Sequence, residues 1–211
     1  MRPKRILLVR HGRSEGNADK NQYETVPDYA LNLTAEGIEQ ARQAGQEISR
    51  LIGAETVHVY LSPYYRTRQT YQYIRESIGA NVVEAFEDPR LREQDWGHLR
   101  SPEANEEIVR ERENFSAFYF RIPDGESGAD VYDRVSTFLE TLHRDFSRPD
   151  YPNHVLLVTH GMTMRLFLMR WFHWSVEEFE NLRNPRNGQV VVMEQEQDGR
   201  YRLASELVKR K

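Results

Sequence analysis

The chain has 211 residues, 38% hydrophobic content, a formal charge of −4 and no cysteine. Its length suits one domain with a sizeable core. The missing cysteines exclude a disulfide framework, a thiolate metal site and a cysteine nucleophile, and the acidic balance argues against a nucleic-acid partner, whose footprint is a basic face.

In chain order, Ile6-Leu7-Leu8-Val9 is a short continuous apolar run, the pattern of a strand buried on both faces. Thr34 is the predicted N-cap of a helix that carries Ile38, Ala41, Ala44, Ile48 and Leu51 at helical spacing. Val57 to Leu61 reads as a second strand, and Ser62-Pro63 as the N-cap and first-turn proline of a helix running to about Ile78. Residues 101–120 form a mostly polar helical insertion with an aromatic end, followed by a turn at Pro123-Asp124-Gly125. From about Ser127 to Phe146 a helix presents Val131, Val135, Phe138, Leu139 and Leu142 on one face. Val155 to Val158 repeats the pattern of the first run, and Gly161 to Phe172 follows as another helix. Residues 189–193 and 200–204 read as a closing hairpin with Asp198-Gly199 at its turn.

This strand–helix alternation predicts an α/β fold with right-handed crossovers, in a single domain over residues 1–211. No apolar run approaches the roughly 20 residues of a membrane helix. The basic start is followed by four apolar residues only, against about 7–15 in a secretory signal. A cytoplasmic protein with no membrane partner is expected.

The two matching runs end alike, as Val9-Arg10-His11-Gly12 and Val158-Thr159-His160-Gly161. Ligands of open parallel sheets bind beyond the carboxyl ends of the strands. Parallel neighbours would therefore deliver His11 and His160 side by side, with Arg10 beside them. Arg66, in the first turn of the helix after the second strand, adds a cation where helix amides already favour an anion. The chain draws its positive charge from 25 Arg and only 4 Lys, and the planar fork of Arg grips phosphate or carboxylate bidentately.

These residues resemble the histidine phosphatase superfamily, the group of phosphoglycerate mutases and their phosphatase relatives. The resemblance rests on an ordered set: Arg10-His11-Gly12-Arg-Ser14-Glu-Gly-Asn17, Leu33-Thr34-x-x-Gly37-x-x-Gln40-Ala41 and Ser62-Pro63-x-x-Arg66-Thr67-x-Gln69-Thr70. It continues with Leu91-Arg92-Glu93-x-x-Trp96-Gly97, Pro123-x-Gly125-Glu126-Ser127 and Thr159-His160-Gly161. The resemblance implies a mostly parallel central sheet sandwiched between helices, with the insertion at about 100–125 capping the site. It also implies that His11 accepts the phosphoryl group as a phosphohistidine and that Glu93 gives the leaving oxygen its proton. Arg10, Arg66 and His160 would surround the phosphoryl oxygens, with Asn17 and the backbone of Gly12 or Gly161 as further donors. No metal and no cofactor is implied, and the partner would be a small phosphoester.

Two stretches depart from the family pattern. Arg13 stands where Glu or Gln is usual, and His98-Leu99-Arg100 replaces a Trp-Glu-Gly. Sixty-six residues separate Glu93 from His160, a shorter span than the mutases carry, which favours a phosphatase over a phosphoglycerate mutase-type phosphotransferase. Arg110, Arg112 and Arg121 lie in that shorter insertion as rim candidates. A silent scaffold is the reading from another class, and the intact set Arg10, His11, Arg66, Glu93 and His160 argues against it. The physiological substrate and the oligomeric state stay open at this point.

Overall fold

The computed structural model describes residues 2–98 and 102–210, Pro102 by its backbone alone. Leu99 and Arg100, within the second departure from the family pattern, lie outside them. Six strands form one sheet: β1 (Arg5–Arg10), β2 (Val57–Leu61), β3 (Val82–Glu87), β4 (His154–Thr159), β5 (Val190–Gln195) and β6 (Tyr201–Leu203). Their spatial order is β3-β2-β4-β1-β5-β6. Strands β3, β2, β4 and β1 run parallel, while β5 and β6 add an antiparallel hairpin beside β1. The α/β expectation holds, with helices on both faces.

The two continuous apolar runs are explained by those faces. Ile6 and Leu8 of β1 with Val155 and Leu157 of β4 pack toward α6 (Gly128–Asp145) and α7 (Gly161–Phe172). Leu7 and Val9 with Leu156 and Val158 pack toward α3 (Ala35–Ile52) and α4 (Tyr65–Ile78). All eight side chains are fully buried, so neither strand has a polar face to alternate with. Burial on both faces, at about 25 cal/mol per Å² of apolar surface removed from water, favours the central places that β4 and β1 take in the sheet.

Four further α-helices lie among the described residues: α1 (Glu15–Ala18), α2 (Gln22–Thr25), α5 (Pro102–Phe115) and α8 (Val176–Glu180). Among the described residues no helix is long and apolar enough to cross a membrane. Thr34 caps α3 through a bond from the Gly37 amide (3.1 Å), as its sequence position predicts. The expected cap of α4 is displaced. The helix begins at Tyr65, its N-cap Tyr64 makes no side-chain cap bond, and the Ser62 hydroxyl is engaged elsewhere. Strand β3 is an addition to the sequence reading: it lies at the sheet edge, and Val83 and Phe86 are exposed.

Candidate active site

Pairing of β1 with β4 sets Arg10 opposite Thr159, so the next residues, His11 and His160, leave the sheet together at its carboxyl edge. Their rings lie 5.1 Å apart, edge to face. The His11 Nδ1 is 2.7 Å from the Gly12 carbonyl. A carbonyl only accepts, so Nδ1 carries the ring proton. Burial, reinforced by the charges of Arg66 and Arg10, holds the His11 imidazolium well below its ordinary pKa. The ring is therefore neutral, with its lone pair on Nε2.

His160 is wholly buried and likewise held well below the ordinary value, by burial and then by Arg66 and His11. Its Nε2 meets the Ser62 hydroxyl at 2.8 Å, the contact that takes Ser62 away from capping α4. Its Nδ1 has no hydrogen-bond partner among the described residues.

The nucleophile loop is fixed by a backbone crossing. A Cβ added at Gly12 would lie 2.2 Å from the Gly37 oxygen, and one at Gly37 would lie 2.1 Å from the Arg13 oxygen. Only glycine permits such an approach. The Gly12 amide donates to Thr70 Oγ1 at 3.1 Å, so it is already engaged and is not the free phosphate donor that the resemblance suggested. Gly161 opens α7, where first-turn amides have no partner within the helix.

Arg10, His11, Asn17, Arg66 and Glu93 are among the residues that line a cavity of about 330 Å³. His160 and Gly161 are not among its lining residues. Asn17 is oriented by the capping box of α1 and by Asn187: its Oδ1 accepts from the Ser14 amide (3.3 Å) and from Asn187 Nδ2 (3.1 Å). That leaves its amino group as the donor for the cavity. Arg10 donates to the Pro185 carbonyl at 2.7 Å, and burial lowers its pKa.

Glu93 is held by the N-terminus of α7. Its carboxylate accepts from the amides of Met162 and Thr163, both at 3.2 Å, and from the Thr163 hydroxyl at 3.2 Å. The backbone around it is pinned by Arg134, which donates to the carbonyls of Arg90, Arg92 and Glu93. Arg134 also pairs with Glu126 at 3.0 Å, which gives the Pro123 to Ser127 motif its task of fixing the Glu93 segment.

Sequence reasoning missed three cavity residues: Lys20, Tyr23 and Asp28. Asp28 sits on a single 3-10 turn, Asp28–Ala30. It clamps Arg66 through Oδ1 to Nη1 (2.9 Å) and Oδ2 to Nη2 (3.3 Å), with its carbonyl also accepting from Nη1 (2.5 Å). Arg66 further lies over the Tyr64 ring at 4.8 Å. Burial, then the charge of Asp28, pushes the Tyr23 phenol up to about 12, so it remains an O–H donor. Lys20 lies over the Tyr23 ring at 5.6 Å. The rarity of lysine was the one signal that could have drawn attention to it.

Trp96 and, from α5, Asn105, Glu106 and Val109 complete the lining. The rim arginines behave differently. Arg121 pairs with Asp130 at 2.7 Å, Arg13 pairs with Glu36 at 2.6 Å, and neither lines this cavity. Arg110 is exposed and also absent from the wall, whereas Arg112 turns toward Gln94 and Met162.

A sheet whose strand ends bring Arg10, His11 and Arg66 to one cavity, with the His160 ring 5.1 Å from that of His11, defines a histidine phosphatase architecture. The chain belongs to the histidine phosphatase superfamily, branch 1, whose family model matches residues 6–205. It is 46% identical to the phosphoglycerate mutase-like protein AT74 of Arabidopsis thaliana, over 96% of this chain and 68% of that protein. It is 31% identical to the broad-range acid phosphatase DET1 of Saccharomyces cerevisiae, over 99% of this chain and 90% of that protein. Among solved structures, mycobacterial glucosyl-3-phosphoglycerate phosphatase superposes with a TM-score of 0.74 at 22% identity, covering 97% of this chain and 99% of that one.

Proposed function

We propose that the protein is a metal-independent phosphomonoester hydrolase working through a phosphohistidine on His11. The observation that carries this reading is the bond from His11 Nδ1 to the Gly12 carbonyl, which leaves a neutral ring with its lone pair on Nε2. Nε2 attacks phosphorus, an N–P bond forms, and the bond from phosphorus to the leaving oxygen breaks. The electron pair departs with that oxygen, which takes a proton from the Glu93 carboxyl group. Charge building on the ring is relieved through Nδ1–H and the Gly12 carbonyl. In the second half, a water gives its proton to Glu93 while its oxygen attacks phosphorus, and the N–P bond breaks to return neutral His11 and inorganic phosphate.

Arg10, Arg66 and the amino group of Asn17 stabilise the equatorial oxygens, with His160 Nδ1 as a further donor behind them. Helix α5 caps the cavity, as the insertion at about 100–125 of the single domain. The resemblance to an acid phosphatase over nearly the whole chain supports hydrolysis. The name of the plant relative keeps phosphotransfer to a second hydroxyl as the competing outcome.

Incubation with p-nitrophenyl phosphate in EDTA tests the reading. Steady release of inorganic phosphate and an acid-labile phosphoenzyme are expected. Activity that EDTA abolishes, or an acid-stable phosphoenzyme, would overturn it. Phosphate appearing on added alcohols in place of free phosphate would move the assignment to phosphotransfer.

A further inference from the structure

Two cavities adjoin the His11 cavity, and Trp96 lines all three. One, of about 490 Å³, also shares Glu93 and is lined by four arginines: Arg112, Arg165, Arg183 and Arg210. The other, of about 460 Å³, shares Tyr23, Asp28 and Trp96 with the His11 cavity and differs in character. Four aromatic rings line it: Tyr23 from α2, Tyr29 from the turn Asp28–Ala30, Tyr64 just before α4, and Trp96. Among the described residues its lining has no Lys or Arg. Its ionisable side chains other than the phenols are Glu24, Asp28, Asp95 and His98.

Three of these rings already hold a cation of the protein: Lys20 over Tyr23 (5.6 Å), Arg66 over Tyr64 (4.8 Å) and Arg112 over Trp96 (5.5 Å). None of the three cations lines the aromatic cavity, so the rings contribute to it surface that these cations do not cover. Tyr29 is 56% exposed and has no ring or cation partner among the described residues. Aromatic pairs in offset or edge-on contact gain free energy beyond the area they bury. Aromatic surface left open beside a reaction centre marks a place where a ligand brings the missing partner.

Charge narrows the choice of ligand. Asp28 is clamped to Arg66, but Glu24 and Asp95 are exposed and form no ion pair among the described residues. A carboxylate or second phosphate placed there would meet uncompensated like charge, and an uncharged ring would not.

We propose that this cavity is a subsite for an uncharged aromatic ring carried by the same phosphoester whose phosphoryl group lies at His11. The assignment rests on the hydrolase reading above. In that mechanism the leaving oxygen sits at Glu93, so the organic part of the substrate extends past Trp96, where the aromatic cavity begins. Tyr29 and Glu24 line this cavity and not the His11 cavity, so they act on the ring and not on the reacting atoms.

Steady-state kinetics with phenyl phosphate, 4-carboxyphenyl phosphate and glycerol phosphate test the assignment. The full chain is compared with Tyr29→Ala and with Glu24→Gln, both positions being exposed. Tyr29→Ala should raise KM for phenyl phosphate by about three- to tenfold, leaving its kcat and both constants for glycerol phosphate within about twofold. Glu24→Gln should lower KM for 4-carboxyphenyl phosphate by about threefold and leave that for phenyl phosphate within about twofold. Equal changes for phenyl and glycerol phosphate in Tyr29→Ala would trace to the neighbouring Asp28 clamp and overturn the subsite, as would no change for either. An unaltered KM for 4-carboxyphenyl phosphate in Glu24→Gln would overturn the selection against anionic rings. If the native chain hydrolyses none of the three compounds, the hydrolase reading fails by itself. Calorimetry with phenylphosphonate and methylphosphonate then decides the subsite: tighter binding of the aryl compound that is lost in Tyr29→Ala supports it, and equal affinities or no binding overturn it.

Discussion

The two cavities that meet at Glu93 handle positive charge in opposite ways. Around His11, each arginine has an acceptor supplied by the protein: Asp28 holds Arg66 in a fork, and the Pro185 carbonyl holds Arg10. Beyond Glu93, Arg112 and Arg165 are partly buried or buried with neutral partners only, and their charges add. A guanidinium already clamped by a carboxylate presents a fixed geometry, and an incoming anion must compete with that carboxylate for it. Such a site favours a dense charge like a phosphoryl dianion. An unpaired cluster presents its positive potential to any incoming anion, which speeds encounter and disfavours cations.

The sharpest way to break this contrast is His11→Ala. Hydrolysis of both phenyl phosphate and glycerol phosphate should fall by about 10⁴-fold or more, with no acid-labile phosphoenzyme in a quench assay. A selective loss on one substrate would place chemistry in the wrong cavity. Next in size is Glu93→Gln. A fall in kcat of about 10²–10⁴-fold is expected for an alkyl phosphate, whose leaving oxygen needs a proton. The fall should be clearly smaller for p-nitrophenyl phosphate, whose phenolate leaves without one. Equal losses would remove the proton-donor role.

Asp28→Asn sharpens the contrast from the other direction. With the anionic competitor gone and a hydrogen-bonding side chain kept, product inhibition by inorganic phosphate should tighten by about three- to tenfold. A weaker inhibition constant would mean that Asp28 orients Arg66 more than it restrains it. The smallest expected effect concerns pH. The pKa values of His11 and His160 are depressed, so the folded chain resists protons that the unfolded chain accepts near pH 6.5. Their stabilising contribution is therefore complete above about pH 6.5 and shrinks as pH falls toward the folded-state values. Melting curves should shift to lower temperature across that acid range, and His160→Asn should flatten the dependence. The nucleophile itself stays neutral well below pH 6.5, so the acid limb of hydrolysis should begin later than for a free imidazole.

What the sequence made legible follows the physics of burial. Strands β1 and β4 declare themselves because both faces are covered, and their matching Arg-His-Gly and Thr-His-Gly ends locate the site before any coordinates. Strand β3 escaped because Val83 and Phe86 are exposed at an edge, so apolar residues there mark no core. Ser62 was misread as a cap because its real partner, the His160 ring, lies 98 residues away. Asp28 was invisible for a related reason. A single 3-10 turn has no periodicity, and the Arg66 it holds is 38 residues further on. The arginine cavity collects from four separate segments, and only Arg112 of its four had been marked as a rim candidate. Local patterns show strands and helices; charge that converges from distant segments becomes visible only once they are folded.

Lys20 offers an experimental handle. It is one of only four lysines in the chain, it is exposed, and it lines the His11 cavity. Partial desolvation and the nearby charge of Arg10 lower its pKa, which increases the fraction of free amine at neutral pH. An amine-directed fluorophore attached there would report ligand entry directly by emission, with no need for turnover.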